Sequence, residues 1–88
     1  MKHILVILTL NMDQLPTHFQ DILVREKEVV DTWKEAGILE HLFLRTTRDG
    51  AVFHFKGMEE ATVRAHIETL PLYPLRKDIT YLDLIPQF

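Results

Sequence analysis

The sequence predicts an α+β fold of order βαββαβ, a four-stranded antiparallel sheet with two helices on one face, and three observations carry that reading. His3 to Leu10 is an unbroken run of strand formers with apolar side chains on both faces. From about Leu15 to Ala36, the residues Leu15, Phe19, Ile22, Leu23, Val29, Val30 and Trp33 recur at intervals of three and four, the spacing of a helix that buries one stripe. Asp49-Gly50, a strong hairpin turn signal, stands between two alternating runs at 39–46 and 51–56.

In the first strand Ile4, Val6, Leu8 and Leu10 share one face and Leu5 and Ile7 the other, so both faces call for burial. Asn11 to Gln14 carries turn and capping types, and Pro16 suits a first helical turn because its missing N–H would have no helix partner. The helix runs to Ala36, where Gly37 supplies a C-terminal stop. Leu39 to Thr46 then alternates Leu39, His41, Phe43 and Arg45 against Glu40, Leu42, Leu44 and Thr46. Ala51 to Lys56 alternates Ala51, Phe53 and Phe55 against Val52, His54 and Lys56. With Asp49 and Gly50 as a two-residue loop, Arg45 falls opposite His54. Gly57 breaks the strand, Met58 to Leu70 reads as a second helix, and Pro71 ends it. Leu70 to Leu75 is an apolar, proline-stiffened connection where a polar loop is usual, and Asp78 to Ile85 is the final strand, closed by Pro86.

This order is the ferredoxin-like arrangement, which covers only one face of the sheet with helices. Leu5, Ile7, Phe53, Phe55, Ile79, Tyr81 and Ile85 are the apolar residues expected on the other face. A patch of that size calls for a partner, and the expected one is a second copy packed sheet to sheet, a homodimer of the dimeric α+β barrel type.

Eighty-eight residues make a single domain, 1–88, near the lower end of what buries a self-sufficient core. Hydrophobic residues at 47 % and charged ones at 26 %, without a low-complexity tract, predict a chain folded throughout. The absence of cysteine excludes disulfides, thiolate metal sites and a cysteine nucleophile, and it permits a reducing cytoplasm, the expected location. The apolar run Ile4 to Leu8 is too short to span a bilayer, so no membrane association is expected. Net charge is -3 with both signs interspersed, and Arg76-Lys77 is the only basic pair outside the mixed helix segment, which argues against nucleic acid. Small molecules and protein partners remain.

Glu26 interrupts the helical stripe. It lies four residues from both Ile22 and Val30 and seven from both Phe19 and Trp33, so it projects among them. An ionised carboxylate in an apolar layer is costly; such a group is paired, raised in pKa, or open to a water-filled pocket. A raised pKa suits a general base that removes a proton beside a carbonyl and returns it at a distant carbon. The competing structural reading pairs it with a sheet cation.

Glu26-Lys27-Glu28 within the first helix, Gly37 followed by His41-Leu42-Phe43, and the Leu70-Pro71-Leu72-Tyr73-Pro74 connection together resemble the muconolactone delta-isomerase family. The likeness spans nearly the whole chain, and the Leu-Pro-Leu-aromatic-Pro segment is its most specific part. The resemblance implies the ferredoxin-like fold, dimers assembled into larger rings, and cofactor-free movement of a proton along an unsaturated lactone in aromatic degradation. It also implies catalytic roles at Glu26 and at His41. The chain departs from the family where Glu40 and Leu44 stand in place of two arginines, and it ends at Phe88 without the family's C-terminal tail.

The expected site therefore combines Glu26 as base with His41 as a hydrogen-bond donor to a developing enolate. Arg45 and His54 are candidates to clamp a substrate anion, and Trp33 and Tyr73 to line an apolar pocket, although core packing alone would account for Trp33. The five histidines show no His-x-His or His-x-x-x-His spacing, so no metal site is expected; with three glycines there is no phosphate loop, which argues against nucleotide-dependent chemistry, and the resemblance implies that no cofactor is needed. Two other classes stay open: a non-catalytic small-ligand or assembly module on the same fold, and a cofactor-free monooxygenase acting on an aromatic substrate.

Overall fold

A computed structural model describes residues 1–88. Its elements are β1 (His3–Leu10), α1 (Phe19–Glu35), β2 (Leu39–Leu44), β3 (Gly50–Lys56), α2 (Glu60–Ile67) and β4 (Arg76–Leu84), with short 3₁₀ turns at Met12–Gln14 and Tyr73–Leu75. The strands form one antiparallel sheet in the order β2-β3-β1-β4, so the first strand lies inside and the hairpin strand β2 and the last strand are the edges. This is the ferredoxin-like fold that the element order predicts.

The core lies between the sheet and the helices. Ile4, Val6 and Leu8 on β1, with Phe53 and Phe55 on β3, are at most 1 % exposed and meet Val63 and Ile67 of α2 and Ile22, Val30 and Trp33 of α1. The central position of β1 explains its two apolar faces: one packs under the helices, the other forms the middle of the open face. Leu70 and Leu72 are buried as well, which accounts for the apolar connection after α2; its leucines are core residues.

Several expectations need correction. Helix α1 starts at Phe19, not near Leu15. Leu15 is extended, as a residue before proline tends to be, and the Pro16 carbonyl accepts a turn hydrogen bond from the Phe19 N–H at 3.1 Å. Helix α2 covers only Glu60–Ile67, inside the expected 58–70, and β4 begins two residues earlier than expected and ends one earlier. The end of α1 follows the sequence signal: Gly37 is left-handed at φ 77°, its N–H donates to the Lys34 carbonyl, and the Ile38 N–H donates to that of Trp33.

The hairpin departs furthest. Leu44 pairs with Ala51 and His41 with His54, leaving Arg45 to Asp49 as the loop, so the expected pairing of Arg45 with His54 does not form. Instead the Arg45 N–H donates to the Gly50 carbonyl at 3.0 Å. At the other end of β2, Leu39 pairs with Phe55 while His41 pairs with His54, so Glu40 is an extra residue. This bulge turns Leu39 under the helices and His41 to the open face, where unbroken alternation would have kept both together.

The open face is also composed differently. Phe53, Phe55, Ile79 and Tyr81 pack on the helix side, and Ile85 lies beyond β4. The residues across from them are Leu5, Ile7, Val52, Phe43, Leu82 and Leu84, together with His3, His41 and His54. Phe43 is 57 % exposed and Leu82 39 %. The apolar open face thus exists, with Leu5 and Ile7 on it as expected and its other members different from those expected.

Candidate functional site

Helix α1 buries Ile22, Glu26, Val30 and Trp33, one stripe along its sheet side, and Glu26 is its single charged member. The side chain is 8 % exposed and has no cationic partner. Its Oε1 accepts a hydrogen bond from the Leu72 backbone N–H at 3.1 Å. That donor belongs to the apolar connection after α2, whose prolines and buried leucines hold it in place.

The second oxygen, Oε2, has no hydrogen-bond partner, yet no fully enclosed polar side-chain atom in the structure lacks one. It therefore opens onto the cavity that Glu26 lines. Burial pushes the carboxyl up from 4.5 to about 7, and the hydrogen bond from Leu72 opposes that rise only in part. The group thus changes charge near neutrality, where an acid or base can both take and return a proton.

The cavity holds about 670 Å3 between the sheet, α1 and the β2–β3 hairpin. Leu8 and Phe53 form its floor, Phe19 and Leu23 its helical wall, and Leu44, Thr46 and Arg48 its mouth. A volume of that order suits a small organic ligand, and a mostly apolar lining with few polar groups strengthens electrostatic contacts inside it.

Of the residues expected at the site, Glu26 and Arg45 both line this cavity. The Arg45 guanidinium, however, is already engaged: it donates to Thr9 Oγ1 at 3.0 Å and lies 3.6 Å from Asp49. Trp33 is consumed by the core, with its ring against Phe55 and edge-on to His66. Tyr73 follows Leu72 but lies outside the lining, with the Arg76 guanidinium stacked 3.9 Å over its ring. His41 and His54 are on the open face, on the other side of the sheet from Glu26. There His54 shares a 2.8 Å hydrogen bond with His3 and stacks with His41. Burial and then the neighbouring histidines hold the His54 imidazole below its usual pKa.

Arg48 is the cavity residue that sequence reasoning missed. The only signal was its place beside Asp49-Gly50, which reads as a turn and gives no direction to the side chain. No group of three or more His, Asp or Glu is arranged to hold a metal ion, and no helix is long and apolar enough to cross a membrane.

No protein-family model matches the sequence, and no curated protein matches it. Among solved structures, the chain is similar to a crystal structure of muconolactone isomerase at 3.3 Å resolution, with a TM-score of 0.80 and 22 % identity, over 97 % of this chain and 90 % of that one. At that identity the likeness is one of fold, and it agrees with the resemblance read from the sequence.

Proposed function

We propose that this protein is a cofactor-independent, isomerase-like enzyme that moves a proton on a small unsaturated lactone or related carboxylic acid, with Glu26 as the group that carries the proton. The observation behind this reading is a buried carboxyl, poised at about 7, whose free oxygen opens onto an apolar cavity. The Glu26 carboxylate takes a proton from the carbon beside the substrate carbonyl, leaving a dienolate and a neutral acid. The acid then returns that proton at the far carbon of the dienolate, so the double bond moves and nothing else is consumed. Leu72 fixes one oxygen by its N–H, leaving the other to face the substrate. Acid–base groups placed in this way contribute about 100- to 10,000-fold in rate. The likeness in fold to a muconolactone isomerase supports the reaction class.

The test uses α-angelica lactone, a neutral lactone whose double-bond shift into conjugation raises ultraviolet absorbance. The wild type is expected to accelerate the shift, and in heavy water to exchange the proton beside the carbonyl. E26Q preserves shape and the Leu72 hydrogen bond but cannot carry the proton, and its rate should fall by about 100-fold or more. Equal turnover by E26Q removes Glu26 from the mechanism.

The same reading includes a homodimer formed through the open face. Leu5 and Leu82 face each other across β1 and β4, and Ile7 and Val52 across β1 and β3, so the centre of that face is apolar and unprotected by helices. V52D, which sets a charge at that centre, is expected to yield monomers in sedimentation, whereas the wild type sediments as a dimer. A wild type that stays monomeric at high concentration would refute the dimer.

A further inference from the structure

We infer that Arg48 is the anion-recognising residue of the Glu26 cavity, so that the natural ligand carries a carboxylate held at the cavity mouth. The inference rests on the proposed location of the site, although its test needs no turnover.

Three observations carry it. Arg48 lines the same cavity as Glu26, at the mouth, beside Leu44 and Thr46. It makes no ion pair and no side-chain hydrogen bond, although Asp49 is its neighbour in sequence. The Asp49 carboxylate is already occupied: Arg45 lies 3.6 Å away and the Thr47 hydroxyl donates to it, and these contacts hold its pKa below the usual range. The loop thus ties up its own acid with one arginine and leaves the second unpaired.

The third observation is the backbone. Arg48 is the one non-glycine residue with positive φ, at 61°. Its N–H closes a turn onto the Arg45 carbonyl at 2.9 Å, and the left-handed residue after such a turn is usually glycine or asparagine. A long cationic side chain in that position adds steric strain and gains no ion pair or side-chain hydrogen bond within the chain. Strained residues of this kind gather at ligand clamps. A guanidinium offers paired donors matching a carboxylate.

Glu26 is the only carboxyl among the lining residues, and below a pH of 7 it is mostly protonated and does not repel an anion. Sorbate and its primary amide, two probes of the same shape that differ in charge, separate the effects when titrated there by calorimetry. The wild type should bind sorbate more tightly than the amide. R48Q should lose about tenfold or more in sorbate affinity while amide affinity holds, and R48K should recover part of the loss because it restores charge without the fork. R48G should lose sorbate affinity equally, yet melt no lower than the wild type, because glycine accepts a φ of 61° freely. Retention of the sorbate preference in R48Q and R48G overturns the assignment, as does parallel loss of both probes or no preference in the wild type. Failure here with Glu26-dependent turnover of the neutral lactone intact discards only the anion site. The converse result, Arg48-dependent binding without Glu26-dependent turnover, leaves a binding cavity and discards the enzyme.

Discussion

E26Q is expected to be the more stable protein by about 3 kcal/mol once the pH exceeds 7, the reverse of what loss of a buried hydrogen-bonded side chain normally brings. The folded state raises the Glu26 carboxyl from 4.5 to about 7 because burial penalises its charge. Between those two values the native protein holds a proton that the unfolded chain has released. Stability therefore declines as pH rises through this window: the contribution is fully present below 4.5 and lost above about 7. Each unit of difference is worth about 1.4 kcal/mol, which gives the expected size. A glutamine is neutral at every pH, and its carbonyl oxygen can still accept from the Leu72 N–H, so E26Q escapes the decline.

Glu40 and Asp49, held below their usual range by Lys56 and by Thr47 with Arg45, change stability at lower pH and in the opposite direction. Both proteins contain them, so they cancel in the difference between the two. The measurement is urea unfolding followed by circular dichroism across a pH series. The difference curve should be flat below the window, rise through it, and level off near 3 kcal/mol, equivalent to about 10–20 °C in Tm for a domain of this size. A curve that stays flat throughout would mean that Glu26 is not desolvated. Read together with the turnover expected of E26Q, the prediction is a variant that gains stability and loses catalysis. That combination marks a residue kept for function against the interest of the fold.

How far this arrangement is legible in the sequence depends on how one-sided each segment is. Helix α1 is one-sided, so the place of Glu26 within its stripe follows from spacing alone, as does the stop at Gly37. Strands β3 and β4 carry apolar residues on both faces, and period-two alternation then says which residues lie together but not which set meets the helices. Phe53, Phe55, Ile79 and Tyr81 are assigned to the wrong side for that reason. The bulge at Glu40 is invisible for a different one: two residues opposing one is a property of the paired strands, and neither strand records it alone. At the site, the same blindness separates His41 and His54 from Glu26 and hides Arg48. Both outcomes depend on hairpin geometry, which the Asp49-Gly50 signal suggests but does not determine.

That signal is real, yet its physical content differs from the usual one, and this leads to the second large effect expected. G50A should destabilise the protein by about 3 kcal/mol or more, well beyond either G37A or G57A. Gly50 does not adopt positive φ, so it is not there to complete a primed turn. It is there because β1 passes too close: a Cβ at this position would lie 2.0 Å from the Leu8 carbonyl oxygen and 3.1 Å from the Thr9 Cα. Those atoms are backbone of an interior strand, fixed by pairing with β3 on one side and β4 on the other, so they cannot turn aside as a side chain would. A methyl group forces the β1–β3 ladder apart where the Leu10 N–H donates to Asp49 at 2.7 Å and the Arg45 N–H to Gly50 at 3.0 Å. Gly37 and Gly57 have open space where a Cβ would go, and their substitution carries only the left-handed backbone penalty, about 1–2 kcal/mol each. Denaturant midpoints for the three variants test the ordering, and a G50A variant no less stable than G57A would refute it. Leu8, Gly50 and Ala51 also line the cavity, so G50A should weaken sorbate binding even where it remains folded, by moving the wall that faces Glu26.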